Sequence, residues 1–324
     1  MIKLNFLQYP SVFSCELESS QSLQALHTNE QALQKIEQLK KEFGFHFLHT
    51  FSFSKEGFLA LFLSLQGKIS VSLGESHAVI EAAHAYKALG FELDFIALSH
   101  NGKLDYESIK ACDYAFVSSY IMDTFVKVDL EKVKILSGAT LISNISATLK
   151  NEFSHAVYFD SYKLTGFATS SVLLHQGILP EQYLGQIDTV SVNLLLNALK
   201  NFTPQTSYKK ELETLLNATF KENIYYFVDS NESLDYTLHF GLKGIKAREI
   251  IRTLSLDEMY VSNGEGCSLG LGKPSRILQE MGYEENQARW ALSLNFSQEL
   301  SSEQINHFVQ TLARKYRQIK AFGQ

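Results

Sequence analysis

The chain has 324 residues, of which 45% are apolar and 20% are charged, as in ordinary globular proteins. A formal net charge of −6 leaves no basic excess to neutralise phosphates, which argues against nonspecific binding of nucleic acid. No apolar run approaches the roughly 20 residues that a membrane span needs, and the amino terminus lacks the pattern of a secretory signal. We therefore expect no membrane association and a cytoplasmic location.

The cysteines are few. Cys15, Cys112 and Cys267 are odd in number and widely separated, which excludes a disulfide framework and a cysteine metal cluster. In a cytoplasmic protein we expect these thiols to be reduced, and we predict no metal site.

In the first half of the chain, short apolar strands alternate with helices, beginning with an amphipathic helix at residues 30–43. The predicted strands are residues 45–53, 68–73, 91–97, 114–119, 139–143, 156–159 and 170–175. The further predicted helices are residues 58–65, 75–89, 104–111, 130–133 and 189–199. Strands and helices that alternate at this spacing predict an α/β fold with a mostly parallel sheet of the seven-stranded type, covered on both faces.

The pattern changes after a linker at residues 202–206. Two short strands, at residues 225–228 and 235–240, lie among helices predicted at residues 209–220, 246–254 and 302–319. We therefore predict a large α/β domain at residues 1–200 and a small α+β domain at residues 201–324. The amino-terminal segment of the first domain is expected to pack on the second.

Residues 261–281 read VSNGEGCSLGLGKPSRILQEM, and they place Cys267 in a loop rich in glycine and small polar residues. Most free cysteines are buried and behave as small apolar side chains. This loop offers little apolar packing, so a reactive thiol is the alternative that we consider. Pro274 suits the first turn of the helix that follows the loop.

A lysine follows a predicted strand directly. Residues 156–166 read AVYFDSYKLTG, so that Lys163 lies just beyond the carboxyl end of the strand at 156–159. Ligands of open α/β folds bind at this end of the sheet. Lys163 is therefore either a solvated surface charge or an amine that forms a Schiff base with an aldehyde cofactor such as pyridoxal 5'-phosphate (PLP).

Together, the Lys163 and Cys267 segments resemble the two signature sites of the cysteine desulfurases, PLP-dependent enzymes with the class V aminotransferase fold. After Cys267, Pro274-Ser275 opens a helix that ends at Met281-Gly282, at the spacing of that family. The resemblance covers most of the chain from about residue 45. It implies fold type I of the PLP-dependent transferases, with PLP as cofactor, L-cysteine or a related amino acid as substrate, and a sulfur-acceptor protein as a possible partner.

The resemblance also implies which residues bind the cofactor. Ser76 aligns with the family's ring-stacking histidine, and a shift of one residue would place His77 there instead. Thr189 matches a threonine that reaches the cofactor of the neighbouring subunit, which implies a homodimer. The complete expected set is Lys163 as Schiff-base lysine with Ser52, Ser54, Lys55, Ser76, His77, Asn144, Asp160, Tyr162 and Thr189.

The chain departs from the family pattern at several positions. The phosphate-binding loop has lost its glycine, and Asn144 replaces the acid that pairs with the protonated ring nitrogen. The arginine that binds the substrate carboxylate is expected within residues 291–296, where Ser293 stands, with Arg289 one turn earlier. Ser293 and Arg289 are therefore the candidate substrate-binding residues, although a serine cannot make the bidentate pairing of a guanidinium group. Ile121-Met122-Asp123 replaces a family Asn-Glu pair.

These observations favour a divergent PLP-dependent cysteine desulfurase in which Lys163 holds the cofactor and Cys267 carries the sulfur as a persulfide. One alternative is a catalytically weak or inactive homologue that serves as a binding partner or sulfur carrier. Another is a PLP-dependent lyase or aminotransferase with a different substrate. The fold alone does not decide among them.

Overall fold

The computed structural model describes residues 1–7, 30–264 and 273–322, so Cys15 and Cys267 lie outside the described residues. The strands are β1 (Ile2–Lys3), β2 (Phe47–Phe51), β3 (Ile69–Ser72), β4 (Leu93–Ile96), β5 (Tyr114–Phe116), β6 (Thr140–Asn144), β7 (Ala156–Tyr158), β8 (Ser171–His175), β9 (Ile224–Tyr225), β10 (Thr237–Leu242), β11 (Met259–Tyr260) and β12 (Ala291–Asn295). The helices are α1 (Glu30–Phe43), α2 (Lys55–Leu65), α3 (His77–Ala88), α4 (Leu130–Ser137), α5 (Ser161–Thr165), α6 (Thr189–Lys200), α7 (Lys209–Phe220), α8 (Ala247–Ser255), α9 (Arg276–Glu280), α10 (Glu285–Ala288) and α11 (Ser302–Phe322).

Seven strands form the large sheet, in the order β2-β8-β7-β6-β5-β3-β4. The pairs from β7 to β4 are parallel, whereas β8 runs antiparallel to both of its neighbours. The predicted α/β fold with a mostly parallel sheet is therefore confirmed. Because β2 and β7 are both antiparallel to β8, they run parallel to each other and end at the same edge of the sheet.

Helices cover both faces of this sheet. On one face, Phe58 of α2 and Val79 of α3 pack into a buried apolar cluster with Tyr158 of β7. On the other face, Leu39 of α1 and Leu195 of α6 pack with residues that include Val157 of the same strand. Since neighbouring side chains of a strand point to opposite faces, β7 is buried on both sides and fixes the position of the residues that follow it.

The second half of the chain contains a three-stranded antiparallel sheet in the order β12-β10-β9. Helices α7, α8 and α11 contribute to its buried core through residues such as Leu212, Ile250 and Phe308. The amino-terminal strand β1 pairs in parallel with β11, so the start of the chain lies against this half. The predicted domain boundary at residue 200 remains a prediction.

A further apolar cluster joins the two halves. It contains Tyr120 and Val126 from the loop after β5, together with Phe227 and Ile277 from the second half. The loop after β5 is therefore packed between the large sheet and the second half. Within the described ranges, no helix is both long enough and apolar enough to cross a membrane.

One predicted helix is wrong. Residues 104–111 form only a single turn of 3₁₀ helix, Tyr106–Ser108, because the Asp105 side chain accepts the N–H of Glu107. Leu104 also makes a β-bridge with Leu98, which holds the chain extended at the point where a helix would begin. Local bonding of this kind competes with helix formation, and the apolar spacing alone did not reveal it.

Two buried histidines are held in their neutral form. Burial lowers the pKa of His239, on β10, to about 3, and neither ring nitrogen has a hydrogen-bond partner among the described residues. Burial, with the ring of His49 beside it, lowers the pKa of His175 on β8 to about 4. Both side chains take up protons more readily in the unfolded chain, where the pKa of histidine is near 6.5.

We expect the protein to lose stability as the pH falls from about 6.5, because the unfolded chain then binds protons that buried His239 does not. The loss should approach about 1.4 kcal/mol per pH unit for each such histidine until the pH nears the folded pKa. His239→Leu should flatten the pH dependence of the free energy of unfolding measured in urea. His46→Leu, at an exposed position, is the control. An unchanged slope in His239→Leu would contradict this interpretation.

Candidate active site

The candidate residues gather where neighbouring parallel strands end. Asn144 is the last residue of β6. Asp160 and Lys163 follow β7, Met122 follows β5, and Ser76 follows β3. These strands are adjacent in the order β7-β6-β5-β3 and point the same way, so their carboxyl ends form one edge. Crevices at this edge are the usual ligand sites of open α/β sheets.

Lys163 lies in the short helix α5, whose first turn is fixed by Asp160. The Asp160 carboxylate accepts the backbone N–H of Lys163 at 3.2 Å and caps the helix. The Lys163 Nζ lies 3.6 Å from Asp160 Oδ2 and 3.3 Å from the sulfur of Met122, and its side chain is only 16% exposed. The amine is therefore held at the edge of the sheet and does not extend into solvent.

Asn144 presents a hydrogen-bond donor at the end of β6. Its Oδ1 accepts the N–H of Ser146 at 2.9 Å and the Ser146 hydroxyl at 2.6 Å, which fixes the orientation of the amide. The opposite atom, Nδ2, is buried and has no hydrogen-bond partner among the described residues. A buried donor without a partner costs free energy, so this amide is set up for an acceptor.

The contact between Lys163 and Met122 passes over Asn144. Lys163 follows β7 and Met122 follows β5, and β6 lies between these two strands. A contact between the residues beyond β7 and β5 must therefore cross the carboxyl end of β6. Met122 is 1% exposed, so its side chain is buried where it meets Lys163.

The structure distinguishes Ser76 from His77. Ser76 precedes α3 as its N-cap residue and is buried, and its hydroxyl has no hydrogen-bond partner among the described residues. His77 lies in the first turn, where its Nε2 is 3.3 Å from Glu81 Oε1. The geometry therefore favours Ser76 as the residue that faces the edge of the sheet.

The expected phosphate-binding residues lie after β2, at the same edge as Asp160. The Ser54 hydroxyl accepts the N–H of Gly57 at 3.2 Å and caps α2, and the Ser52 hydroxyl donates to Ser54 at 3.1 Å. A methyl group on Gly57 would lie 1.9 Å from the Ser52 carbonyl oxygen, so this turn needs glycine. Ser52 and Lys55 are exposed at this helix N-terminus, where backbone N–H groups favour an anion.

The expected substrate-binding residues are engaged elsewhere. Ser293 is fully buried in β12, and its hydroxyl donates to the carbonyl oxygen of Asp123. The guanidinium group of Arg289 lies 2.6 Å from Glu285, one helical turn earlier.

The sequence marked Asp123 only as part of a departure from the family pattern and gave it no role, yet several structural contacts converge on it. Its Oδ2 accepts the Ser275 hydroxyl at 2.7 Å, and its backbone has a φ of 61°. A methyl group on Gly264 would lie 2.0 Å from Asp123 Oδ1, so only glycine fits there. Asp123 thus bonds the loop after β5 to Ser275 and Ser293 of the second half and packs closely against Gly264.

Arg276 and Glu75 lie next to the carboxyl end of β3. The Arg276 guanidinium group donates to the carbonyl oxygen of Leu73 at 2.7 Å and also to that of Glu75. The Glu75 side chain is buried, and burial together with the Glu75 charge raises the pKa of Tyr158 well above its ordinary value. The sequence contained no signal for these contacts beyond a helix start at Ser275.

The remaining predicted residues are more peripheral. Tyr162 is 42% exposed, and Thr189 is the first residue of α6 and half-buried. Cys267 lies outside the described residues. No group of three or more histidine, cysteine, aspartate or glutamate residues in the described ranges is arranged to hold a metal ion.

No family model matches the chain. Over 149 residues, or 45% of this chain, the sequence is 22% identical to the cysteine desulfurase IscS from Rickettsia bellii. The match spans 35% of the length of that relative. The activity of that relative is therefore proposed for this chain and is not shown by the match.

Solved structures match almost the whole chain. A NifS-like protein from Rickettsia africae gives a TM-score of 0.73 at 14% identity and covers 98% of this chain and 99% of its own. A structure of SspA in complex with cysteine gives a TM-score of 0.68 at 15% identity and covers 92% and 99%. The fold is thus that of the NifS-like proteins. The predicted resemblance to the cysteine desulfurases is confirmed as a distant similarity in sequence and a shared fold.

The residues at the sheet edge fit PLP with a neutral ring nitrogen. Lys163 supplies an amine for its aldehyde, and Ser52 and Ser54 stand at a helix N-terminus for its phosphate. The unpartnered Nδ2 of Asn144 is the observation that favours the fit, because a ring nitrogen is an acceptor for it. An amide can donate to this nitrogen, whereas only an acid stabilises its proton. Met122 has to move away from Lys163 for the fit.

Asn144→Asp should lower the melting temperature of the protein without added PLP, because a carboxylate oxygen would replace the buried Nδ2 without a donor. The cost should be about 1–3 kcal/mol. Added PLP should restore part of the loss, since a protonated ring nitrogen can donate to the new carboxylate. Thermal melts with and without PLP measure this. Asn144→Leu, which offers the ring nothing, is the control, and equal restoration in both variants would contradict the prediction.

Asp123→Ala should destabilise the protein by about 2–4 kcal/mol, because it leaves the Ser275 hydroxyl without its acceptor and forces alanine into a left-handed conformation. Asp123→Asn should recover most of this free energy, since asparagine tolerates a positive φ and keeps an acceptor oxygen. Urea unfolding measures both variants. A similar loss of stability in both variants would contradict this prediction, because asparagine keeps the acceptor oxygen and tolerates the positive φ.

Proposed function

We propose that this chain is a cysteine desulfurase-like protein that holds PLP at Lys163 and passes the sulfur of cysteine, or of a related amino acid, to Cys267. The observation that carries the proposal is that two groups lie at one edge of the sheet. They are the buried amine of Lys163 and the Nδ2 of Asn144, which has no hydrogen-bond partner among the described residues. An amine and a donor at the ends of adjacent strands are the two groups that a pyridine aldehyde requires.

Each residue has a separate part in this proposal. Lys163 binds the aldehyde carbon, and Asp160 orients the lysine by capping α5. Asn144 donates to the ring nitrogen, and the Ser52–Ser54 turn at the N-terminus of α2 receives the phosphate. When bound, PLP supplies a ring that withdraws electrons from the α-carbon of an amino acid.

The overall reaction balances without an oxidant. Transfer of the sulfur atom of cysteine to the Cys267 thiol gives alanine and a persulfide. The thiolate is the reactive form of a cysteine, so Cys267 has to be deprotonated when it accepts the sulfur. The neutral amide of Asn144 does not stabilise a proton on the ring nitrogen, so the ring withdraws electrons less strongly than it would beside an acid. We therefore expect slow turnover. A cytoplasmic homodimer that delivers sulfur to an acceptor protein belongs to the same proposal.

Wild-type protein mixed with PLP should develop a visible absorption band that resists gel filtration and disappears in Lys163→Ala. The matched control is Lys110→Ala, an exposed lysine that pairs with Asp94. Borohydride reduction followed by peptide mapping should place the modification on Lys163. A wild-type protein that stays colourless would contradict the proposal.

Sulfide release from cysteine in the presence of a reducing thiol should be lost in Cys267→Ser, while the absorption band persists. Cys112→Ser is the control, because burial raises the pKa of the half-buried Cys112 thiol and so lowers the fraction present as the reactive thiolate. Sulfide release that depends on Cys112, or on neither cysteine, would show that Cys267 is not the acceptor.

A second candidate is a weakly active or inactive homologue that carries sulfur or binds a partner. It is favoured by the Lys163–Met122 contact and by the use of Ser293 to hold Asp123. A carrier would take sulfur from a persulfide donor by thiol exchange, in which the donor thiol leaves. Incubation with polysulfide should then add one sulfur atom to Cys267 in protein that binds no PLP.

A further inference from the structure

Met122 occupies the approach to the lysine amine. Its sulfur lies 3.3 Å from Lys163 Nζ, and its side chain is almost completely buried. A thioether is a weak hydrogen-bond acceptor, so it competes poorly with a carbonyl group for an amine. The contact therefore covers Lys163 by packing more than by bonding.

The backbone of Met122 is fixed on both sides. Its N–H donates to the carbonyl oxygen of Gly74 at 3.0 Å, which ties it to the loop after β3. The next residue, Asp123, is held by Ser275 and Ser293 from the second half. The N–H of Ile121 donates to the carbonyl oxygen of Val126 at 2.8 Å and closes the loop. The loop cannot swing away, whereas the unbranched Met122 side chain can change rotamer.

We infer that Met122 controls the access of carbonyl compounds to Lys163, and thereby which aldehydes the site accepts. This inference rests on the proposed role of Lys163 as the amine that binds an aldehyde. An aldehyde reaches the amine only in the fraction of molecules in which the Met122 side chain has left its buried position. Moving a buried methionine side chain into water lowers that fraction by a factor of about 10–100.

The test uses two aldehydes, PLP and salicylaldehyde, with borohydride to fix each to the lysine as a secondary amine. Salicylaldehyde carries no phosphate, so its labelling of Lys163 reports access to the amine alone. Peptide mass spectrometry gives the labelling rate of Lys163 relative to that of exposed Lys110 in the same sample. Met122→Leu keeps the bulk of the side chain and serves as the matched control.

Met122→Ala should label at Lys163 about 10–100 times faster than wild type with salicylaldehyde, and Met122→Leu should stay within a factor of about two of wild type. Met122→Val should change the rate in the same direction as alanine, and it decides the matter if the alanine variant does not fold. Equal Lys163 labelling in wild type and in the shortened variants overturns the inference.

The two proposals fail in different ways. If Met122→Ala accelerates labelling by salicylaldehyde but no variant binds PLP, the control of access by Met122 stands and the PLP-dependent function falls. If wild type binds PLP at Lys163 and labels as fast as Met122→Ala, the function stands and the role of Met122 is overturned.

Discussion

The buried Asp123 carboxylate connects the parts of the molecule on which the site depends. The carboxylate accepts a hydrogen bond from the Ser275 hydroxyl at the start of α9. The backbone carbonyl oxygen of Asp123 accepts one from the Ser293 hydroxyl of β12. Through these bonds the second half fixes the loop after β5 and places Met122 on Lys163. A left-handed backbone at a non-glycine residue is retained only where its surroundings hold it, and here the surrounding bonds do so.

The large sheet determines which residues meet at the edge. Because β5, β6 and β7 are adjacent and parallel, residues that follow them are neighbours in space even when they lie far apart in the chain. Within this edge, the structure leaves polar atoms of Asn144 and Ser76 buried without partners among the described residues. Such atoms are costly in a core, and sites that bind ligands are where they are commonly found.

The comparison with solved structures separates fold from chemistry. At 14–15% identity the chain keeps the fold over more than nine-tenths of its length. At the edge of the sheet, an amide stands at the end of β6 and a thioether contacts the lysine, which departs from the pattern that the resemblance to the cysteine desulfurases implies. A fold of this class positions a site without dictating its reaction. This is why the proposed turnover is slow and why a carrier without turnover is the second candidate.

The sequence by itself determined the seven strands, the mostly parallel sheet and the position of Lys163 beyond β7, because apolar periodicity and strand–helix alternation are local signals. It failed at residues 104–111, where the Asp105 side chain competes with a helix. The sequence left Ser76 and His77 as alternatives, and the start of α3 favours Ser76 because it is the buried N-cap residue. The contacts of Met122 with Lys163 and of Asp123 with Ser275 join residues 41 and 152 positions apart. No local pattern encodes such pairs, since they arise from the way the strands and the second half pack together.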